Sequence, residues 1–353
     1  MILAETQSRR ESFDSCLRVS AFLRENLRYA FLIILLSAGT AAAQEVSTSV
    51  VLKDLQRPCG IAARPAGTAD RYELFIAESG AGRVVRWTNL KPDDIEAVID
   101  GFSAASAERP SLQTGPLSVL FLDPGLVIVG ISADDGHGLL RIFELPEHDE
   151  VLAANQPRER VSVGPDETAC WALARTRANE FVHDRLVSIV RGPKQIGSLY
   201  KSRIQAGTLG AMQPFGNEDA EVQPSDVTAV TTSPTGRIVA VAKTGESGGE
   251  GSRLLFFNPI EGAVEVAMPL KLPQVIALAY SPTTPNLYAA DFSGGIHRID
   301  DTSRPGRPAC RAVKIFDAQR PTALAFAPDG ALYFTTFGDR SSTGTLEVAT
   351  GDL

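Results

Sequence analysis

The chain has 353 residues, of which 44% are hydrophobic and 22% charged, and its formal net charge is −8. These proportions are those of a soluble globular protein that can bury a large core, as one closed all-β domain or as two ordinary domains. No block of Lys and Arg stands out after the N-terminal segment, and because binders of the phosphate backbone present a basic face, the composition argues against nucleic acid as a partner.

The first feature along the chain is an apolar stretch near the N-terminus. Residues 28–45, RYAFLIILLSAGTAAAQE, place an Arg before a short apolar run that ends in small residues, the order of a secretory signal with its cleavage site. We predict a leader over residues 1–43 and export to the periplasm or beyond the cell, with no transmembrane span once the leader is removed. The long, partly acidic segment before the apolar run leaves two alternatives open, an atypical leader or a true start further downstream.

The predicted mature chain opens with a strand, STSVVLKD at 47–54, that runs into a phrase found again near the end. Residues 50–67, VVLKDLQRPCGIAARPAG, align without a gap on residues 313–330, VKIFDAQRPTALAFAPDG, and weaker copies begin at positions 115, 225 and 273. Internal repeats of this kind mark architectures built from stacked structural units. The phrase therefore indicates a repeated unit.

Each unit has the pattern of three or four short antiparallel strands. The first strand ends in a Pro-containing turn, an apolar second strand such as YELFIAE or RIVAVAK follows, and a Gly-rich turn leads to a third strand such as RVVRW or SRLLFF. Fourth strands are predicted at DIEAVIDGF, GAVEVAMPL and RAVKIFD. No long stretch shows helical apolar periodicity, so the pattern predicts an all-β protein.

The spacing of the turn prolines gives the number of units. They stand at positions 65, 124, 234, 282 and 328, and the doubled second interval leaves room for one degenerate unit, which ACWALARTRANE at 169–180 fits. Sheets this small bury their faces by packing radially. We predict a single domain over residues 44–353, a six-bladed β-propeller in which the N-terminal strand completes the last blade and closes the ring. A seven-bladed ring and a pair of β-sandwiches are the alternatives.

Candidate site residues are polar side chains that recur where the second strands end. Aligning these strands brings four of them to about one position, namely Glu78, Lys243, Asp291 and Thr336. Such a channel rim could bind a cation or a polar ligand; Glu78 and Asp291 are the metal candidates, and Ca²⁺ suits carboxylate oxygens. The alternative is that these side chains only satisfy backbone groups of their own turns.

Other motifs carry weaker signals. The turn SADDGHGLL at 132–140 is rich in oxygen ligands but lacks the spacing of a calcium loop, and the histidines are too scattered for a zinc site. The sequence has no nucleophile elbow and no phosphate-binding loop, and GESGGEG at 245–251 indicates a flexible hairpin loop.

Recurrent arginines and the cysteines favour scaffold roles. Similar positions in three third strands carry Arg86, Arg141 and Arg298, which indicates an ion-pair position set by the repeat. Beyond the leader the cysteines are odd in number, and Cys59 and Cys170 fall in different units. We expect these two to be buried thiols that do not pair with each other.

The segments RPCGIAARP…YELFIAESGAGRVVRW and RPTALAFAPDGALYFTTFGD resemble the repeats of NHL and TolB-like six-bladed propellers. That superfamily also holds the gluconolactonase and regucalcin group and the glucose/sorbosone dehydrogenases. The resemblance spans residues 47–353 and rests on blade patterns, so it implies the fold more than a function.

The resemblance implies two different sets of site residues, one for each enzymatic branch of the superfamily. Lactonase-type members hold a divalent ion with an acid, an Asn and an Asp; Glu78 and Asp291 could supply acids, but no Asn stands at the matching position. Sorbosone-dehydrogenase-type members bind pyrroloquinoline quinone with a channel His and basic residues. The Gly-x-x-His pattern of those sites is not visible, and His297 lies inside a third strand instead.

Two functional hypotheses follow. The first is an exported propeller that binds a protein, a glycan or a small molecule without catalysis, because the scaffold is clear and no catalytic set is recognised. The second is a metal-dependent lactonase or hydrolase, or a quinone-dependent sugar dehydrogenase, that uses the central channel around Glu78, Lys243 and Asp291.

Overall fold

The computed structural model describes residues 46–104, 114–132, 139–146, 150–163, 167–177, 183–192, 197–215, 226–243, 251–300, 302, 311–337 and 343–353. The predicted leader at 1–43 lies outside these residues, as do Cys310 and most of the turns at 132–140 and 245–251. Within the described residues, no helix is long and apolar enough to cross a membrane.

The described residues form 26 strands and no helix. In chain order the strands are β1 (Ser47–Gln56), β2 (Pro58–Ala66), β3 (Thr68–Glu78), β4 (Arg83–Thr88), β5 (Lys91–Asp100), β6 (Gly115–Asp123), β7 (Leu126–Ser132), β8 (Leu140–Glu144), β9 (Leu152–Ala153), β10 (Glu159–Val161), β11 (Ala169–Thr176), β12 (Arg185–Arg191), β13 (Gly197–Gln205), β14 (Thr208–Leu209), β15 (Gln213–Pro214), β16 (Val227–Thr232), β17 (Val239–Lys243), β18 (Arg253–Phe257), β19 (Val264–Pro269), β20 (Val275–Tyr280), β21 (Leu287–Asp291), β22 (Gly295–Ile299), β23 (Ala312–Phe316), β24 (Pro321–Phe326), β25 (Leu332–Thr336) and β26 (Thr343–Thr350).

Antiparallel pairing collects these strands into successive groups of four. Group 1 is β2 to β5, group 2 is β6, β7, β8 and β10, group 3 is β11, β12, β13 and β15, group 4 is β16 to β19, group 5 is β20 to β23, and group 6 is β24 to β26 with β1. Groups 2 and 3 share one larger sheet, because Ala169 of β11 pairs with Ser132 of β7. The unit predicted at 169–180 therefore begins with a strand, β11, that heads its own group.

The N-terminal strand pairs with the last one. β1 runs antiparallel to β26, from Ser47 opposite Thr350 to Gln56 opposite Thr343. Its outward side chains are exposed, while Leu52 and Leu55 are buried against groups 1 and 6. The first and last described strands thus belong to the same sheet.

Period-two alternation places apolar side chains on both faces of the inner strands. In β3, for example, Leu74 and Ile76 pack against group 6, whereas Phe75 packs against group 2. Six hydrophobic clusters result, and each lies between two neighbouring groups. First strands of neighbouring groups also contact one another, in the series β2, β6, β11, β16, β20 and β24, and β24 contacts β2 again. The fold is all-β and of propeller type.

Several scaffold predictions are confirmed in detail, and one turn differs. The recurrent arginines occupy equivalent third-strand positions: Arg86 pairs with Glu96, Arg298 with Asp300 at 2.8 Å, and Arg141 donates to the Ala154 carbonyl at 2.8 Å. Among the described cysteines, Cys59 and Cys170 are both free thiols; Cys170 is buried as expected, whereas Cys59 is only partly buried. Pro65 lies inside β2 opposite Tyr72, because the hairpin of group 1 continues beyond the predicted turn.

Candidate functional site

The predicted site residues stand at equivalent places in their groups. Each ends a second strand and lies opposite the first residue of the first strand; the pairs are Glu78 with Pro58, Lys243 with Val227, Asp291 with Val275 and Thr336 with Pro321. The same register adds two residues that the sequence analysis missed, Ser132 opposite Gly115 and Arg191 opposite Ala169. We call these six positions, with the residues that immediately precede the first strands, the entry edge.

A β-bulge follows directly at every first strand. The register shifts one or two residues into each strand, at Cys59, Leu117, Trp171, Thr228, Ile276 and Thr322. A bulge leaves one residue out of the ladder and turns its side chain away from the regular alternation. In every group, therefore, the ladder is irregular beside the entry edge.

Glu78 is fully buried and is bonded to the end of β1 and to the start of β4. Its Oε1 accepts a hydrogen bond of 2.6 Å from the Gln56 backbone N–H, and its Oε2 accepts one of 2.7 Å from Arg83 Nε. The carboxylate thus caps the segment that leads from β1 into β2. This is the turn-satisfying role that the sequence analysis gave as the alternative to ligand binding.

Asp291 has the same role in group 5. Its Oδ1 accepts hydrogen bonds from the backbone N–H groups of Gln274 and Ser293, both at 3.1 Å, and from the Ser293 hydroxyl at 2.9 Å. Gln274 precedes β20 just as Arg57 precedes β2. The repeat therefore uses a carboxylate in two groups for one structural task.

The other two predicted residues differ from these acids. Thr336 is buried, and its hydroxyl lies 2.7 Å from that of Thr345, which in turn donates to Glu347 at 2.8 Å. Lys243 is half-buried and pairs on the ladder with Arg253. No hydrogen bond or ion pair among the described residues joins any two of the four predicted site residues.

The described residues do not form a ready cation site. Both oxygens of Glu78 and one of Asp291 already have hydrogen-bond donors. In the part of the chain that the structure describes, no group of three or more His, Cys, Asp or Glu could hold a metal ion. The Ca²⁺ site at Glu78 and Asp291 stays a prediction, and no chemistry is derived through it.

Cations at the entry edge are held by aromatic rings. The Arg320 guanidinium lies 5.0 Å from the ring centre of Phe292 and 5.6 Å from that of Phe337, and these rings stand edge-to-face at 6.0 Å. Phe292 and Phe337 directly follow Asp291 and Thr336. Because a ring face binds the flat of a guanidinium, the N–H groups at its edge remain available.

Arg191 repeats this arrangement in group 3. Its guanidinium lies 4.2 Å from the ring centre of Trp171, the bulged residue of β11, and its buried Nε has no acceptor. Burial lowers the pKa of Arg191, and the nearby carboxylate of Asp226 opposes that shift. The two groups form no ion pair within the described residues.

Three residues of the entry edge have left-handed backbones. Arg57, Asp226 and Arg320 immediately precede β2, β16 and β24, with φ values of 50°, 61° and 49°. Non-glycine residues rarely adopt this region, and such strain concentrates at functional sites. The aligned Gln-Arg-Pro phrases contained this signal, but sequence reasoning treated it as architecture alone.

His297 lies in β22, away from the strand ends. It pairs with Ala289, and its pKa is lowered by burial and by the nearby Lys314 ammonium, against the opposing effect of Asp291. The structure therefore keeps this histidine inside a third strand, as the sequence indicated.

Comparison with known proteins adds a likeness of fold. No protein-family model matches the sequence, and no curated protein matches it either. A solved structure of a glucose dehydrogenase superposes with a TM-score of 0.58 at 19% identity, over 86% of this chain and 98% of that chain. A gluconolactonase from Xanthomonas campestris gives a TM-score of 0.49 at 12% identity, over 88% and 96% of the two chains. At 19% identity, the likeness to the glucose dehydrogenase shows the propeller-type fold and no more.

Proposed function

We propose that this protein is an exported six-bladed β-propeller that binds a small anionic ligand at the entry edge, without catalysis of its own. The observation that carries the proposal is the contrast between acids and bases there. The carboxylate of Glu78 accepts a hydrogen bond from the backbone N–H of Gln56, at the end of β1, and that of Asp291 accepts one from the backbone N–H of Gln274, just before β20. The guanidiniums of Arg191 and Arg320 are instead held by aromatic rings.

The pairing and packing support the architecture in this proposal. Four-stranded groups succeed one another six times, and their first strands contact in a series that returns from β24 to β2. β1 supplies the fourth strand of group 6. The buried hydroxyls of Tyr72 and Tyr333, 2.7 Å apart, join groups 1 and 6 as well. An N-terminal strand that closes a ring protects the sheet edges that an open array would expose.

Four cations support the choice of an anion. Arg57, Arg191, Lys243 and Arg320 belong to different groups, and none forms an ion pair with a carboxylate among the described residues. Hydrogen bonds from a guanidinium to an anion are about twice as strong as neutral ones. The entry edge also contains three acids, Glu78, Asp226 and Asp291, so its formal charge is +1 on a chain of net charge −8; Glu78 and Asp291 already accept hydrogen bonds from backbone N–H groups. Such a local cationic edge would attract and orient an anion.

Calorimetric titration of the purified full chain tests the proposal. The probes are inorganic phosphate, citrate and a neutral hexose of similar size. We expect citrate or phosphate to bind, and binding to weaken about tenfold or more in Arg320→Met and in Lys243→Met, because each variant removes a charge-assisted hydrogen bond.

Arg298→Met is the matched control, because Arg298 is a guanidinium of group 5 already paired with Asp300. It should leave the affinity unchanged. Equal affinities in all four proteins, or binding of the neutral hexose alone, would overturn the proposal.

An enzymatic function is the second candidate, and the likeness in fold to a glucose dehydrogenase favours it. Pyrroloquinoline quinone, which the resemblance to sorbosone-dehydrogenase-type propellers implies, is a polycarboxylate that the basic residues of the entry edge would suit. Bound there, it would supply two-electron oxidation chemistry. Adding the quinone, with and without Ca²⁺, to the full chain together with an aldose and an electron acceptor separates the two candidates. Turnover that disappears in Lys243→Met would replace the binding function by the enzymatic one.

A further inference from the structure

Three basic side chains share one face of the outer hairpin of group 3. Arg185 of β12 lies directly opposite Arg203 of β13, and Val187, two residues along, lies opposite Lys201. Residues opposite each other, or two apart on one strand, point to the same side of a sheet. Arg185, Lys201 and Arg203 are therefore neighbours on the face that packs toward group 4.

This arrangement carries an electrostatic cost. Like charges directly opposite each other destabilise an antiparallel pair. Among the described residues, none of the three cations forms an ion pair with a carboxylate. The pKa of Lys201 is lowered by burial and by the charge of Arg185. The repulsion is therefore uncompensated within the described chain.

Contacts with group 4 and within group 3 hold Arg185 and Lys201 in place without neutralising them. Arg185 Nη1 donates to the backbone carbonyl oxygens of Pro259 and, at 3.2 Å, Ile260, in the turn between β18 and β19. The Lys201 ammonium lies 5.1 Å from the ring centre of Phe215, which is itself buried. Carbonyl and ring contacts fix the position of a cation but leave its net charge intact.

Among the described residues, three acids from the neighbouring sequence and from group 4 are paired elsewhere or exposed. Asp184 precedes Arg185 but pairs with Arg175, whose Nε donates to it at 2.9 Å. In group 4, Glu265 of β19 accepts a hydrogen bond from Asn258, and Glu261, in the turn before β19, is exposed. The face thus has a formal charge of +3 with no acid paired to it in the described residues.

We propose that this face, formed by Arg185, Lys201 and Arg203 beside the 258–262 turn, is a second anion-binding site that takes a phosphate or sulfate group. A tetrahedral oxyanion offers several acceptors at once, so one group accepts hydrogen bonds from two guanidiniums and an ammonium. It also removes the repulsion between the opposed arginines.

The site is separate from the entry edge. Arg185 begins β12 and Arg191 ends it, and six steps along a strand span about 20 Å.

Thermal unfolding of the full chain tests this site. Sodium phosphate is compared with sodium chloride at equal ionic strength, in the wild type, Lys201→Gln, Arg203→Gln and the control Lys91→Gln, which removes an exposed cation from β5. All four are also made in the Lys243→Met background, in which we expect phosphate binding at the entry edge to be weakened. We expect phosphate to raise the Tm of the wild type and of Lys91→Gln in both backgrounds, and to lose this effect in Lys201→Gln and Arg203→Gln.

The second test is whether the Arg203→Gln substitution raises or lowers the Tm in chloride, without phosphate. Arg203→Gln removes the repulsion of Arg185, so its Tm in chloride should equal or exceed that of the wild type, which a misfolded variant would not show. A phosphate effect no larger than that of chloride, or one that persists in both site variants in the Lys243→Met background, would overturn the proposal. Separate titrations then show which source of the phosphate or sulfate group binds tightest. The three probes are free phosphate, a sulfated oligosaccharide and vesicles containing phosphatidylglycerol.

Discussion

Thr322 donates its hydroxyl hydrogen to the backbone oxygen of Pro58 over 2.7 Å, and so joins two first strands whose residues are 264 positions apart. Thr322 is the bulged residue of β24, and the bulge brings its side chain to the neighbouring strand β2. Thr228, the bulged residue of β16, donates in the same way to the Val275 oxygen of β20, at 2.5 Å. At these two bulges the repeat thus joins neighbouring groups, and the Thr322 joint links group 6 to group 1.

Thr322→Val should weaken this joint. The substitution keeps the shape but leaves the Pro58 oxygen, and the Thr335 hydroxyl 2.7 Å away, without their partner. Leaving a buried polar group unsatisfied costs about 1–3 kcal/mol, so the free energy of unfolding in urea should fall by that amount. Thr208→Val, at an exposed position of β14, should stay within about 0.5 kcal/mol of the wild type. Equal effects of the two variants would mean that the joint contributes nothing to stability.

Leu55→Ala tests the contribution of the N-terminal strand. Leu55 is 2% exposed and packs between groups 1 and 6, whereas Val50 on the same strand is 49% exposed. Removing the buried side chain should cost about 2–5 kcal/mol, while Val50→Ala should cost about 0.5 kcal/mol or less. Urea unfolding followed by tryptophan fluorescence measures both. If Leu55→Ala unfolded like Val50→Ala, β1 would not be an integral strand of group 6.

The sequence predicted the strand groups well because the fold repeats one pattern. Aligned phrases at 50–67 and 313–330 identified two first strands, and the structure shows these strands, β2 and β24, in contact. The doubled proline interval located group 3 although its own turn proline is missing. By contrast, Pro65 was assigned to a turn but lies inside β2, opposite Tyr72. A proline is compatible with a strand near the end of a hairpin, so the pairing of β2 with β3 continues past it.

The chemistry of the entry edge was harder to predict. Alignment found the position of Glu78 and Asp291, but a sequence does not show that a carboxylate faces its own backbone rather than a channel. Arg191 was missed because β12 belongs to the degenerate unit, whose second strand gave no alignment. The contact between Arg320 and Phe337 joins residues 17 positions apart through a turn and a strand, a proximity that depends on the bulged register.

The thiol of Cys59 should be protected by its burial. Burial raises its pKa to about 11, from an ordinary value of 9.0, and the thiol lies 3.3 Å from the Ser79 hydroxyl. Because the pKa of this thiol is higher in the folded than in the unfolded state, its protonated form stabilises the fold at pH values below the unfolded pKa of 9.0. That stabilisation is lost as the pH rises from 9 toward 11. Labelling with a disulfide reagent at about pH 8, located by mass spectrometry, should therefore be far slower at Cys59 in the native protein than in urea. The loss of stability between pH 9 and 11 should be smaller in Cys59→Ala. Rapid native labelling at this residue would contradict the prediction.

Glu78 provides the sharpest test of what the acids of the entry edge do. Glu78→Gln keeps an acceptor for the Gln56 N–H but loses the charge that pairs with Arg83; Glu78→Ala removes both. If the carboxylate is a structural cap, the alanine variant should lose about 1–3 kcal/mol more stability than the glutamine variant, because a buried backbone donor is left unsatisfied. If the carboxylate holds Ca²⁺, added Ca²⁺ should raise the Tm of the wild type, and both variants should lose that rise alike. Unfolding in urea and thermal scans with and without Ca²⁺ therefore separate the two roles. We expect the graded loss without a Ca²⁺ effect, because both carboxylate oxygens already accept hydrogen bonds.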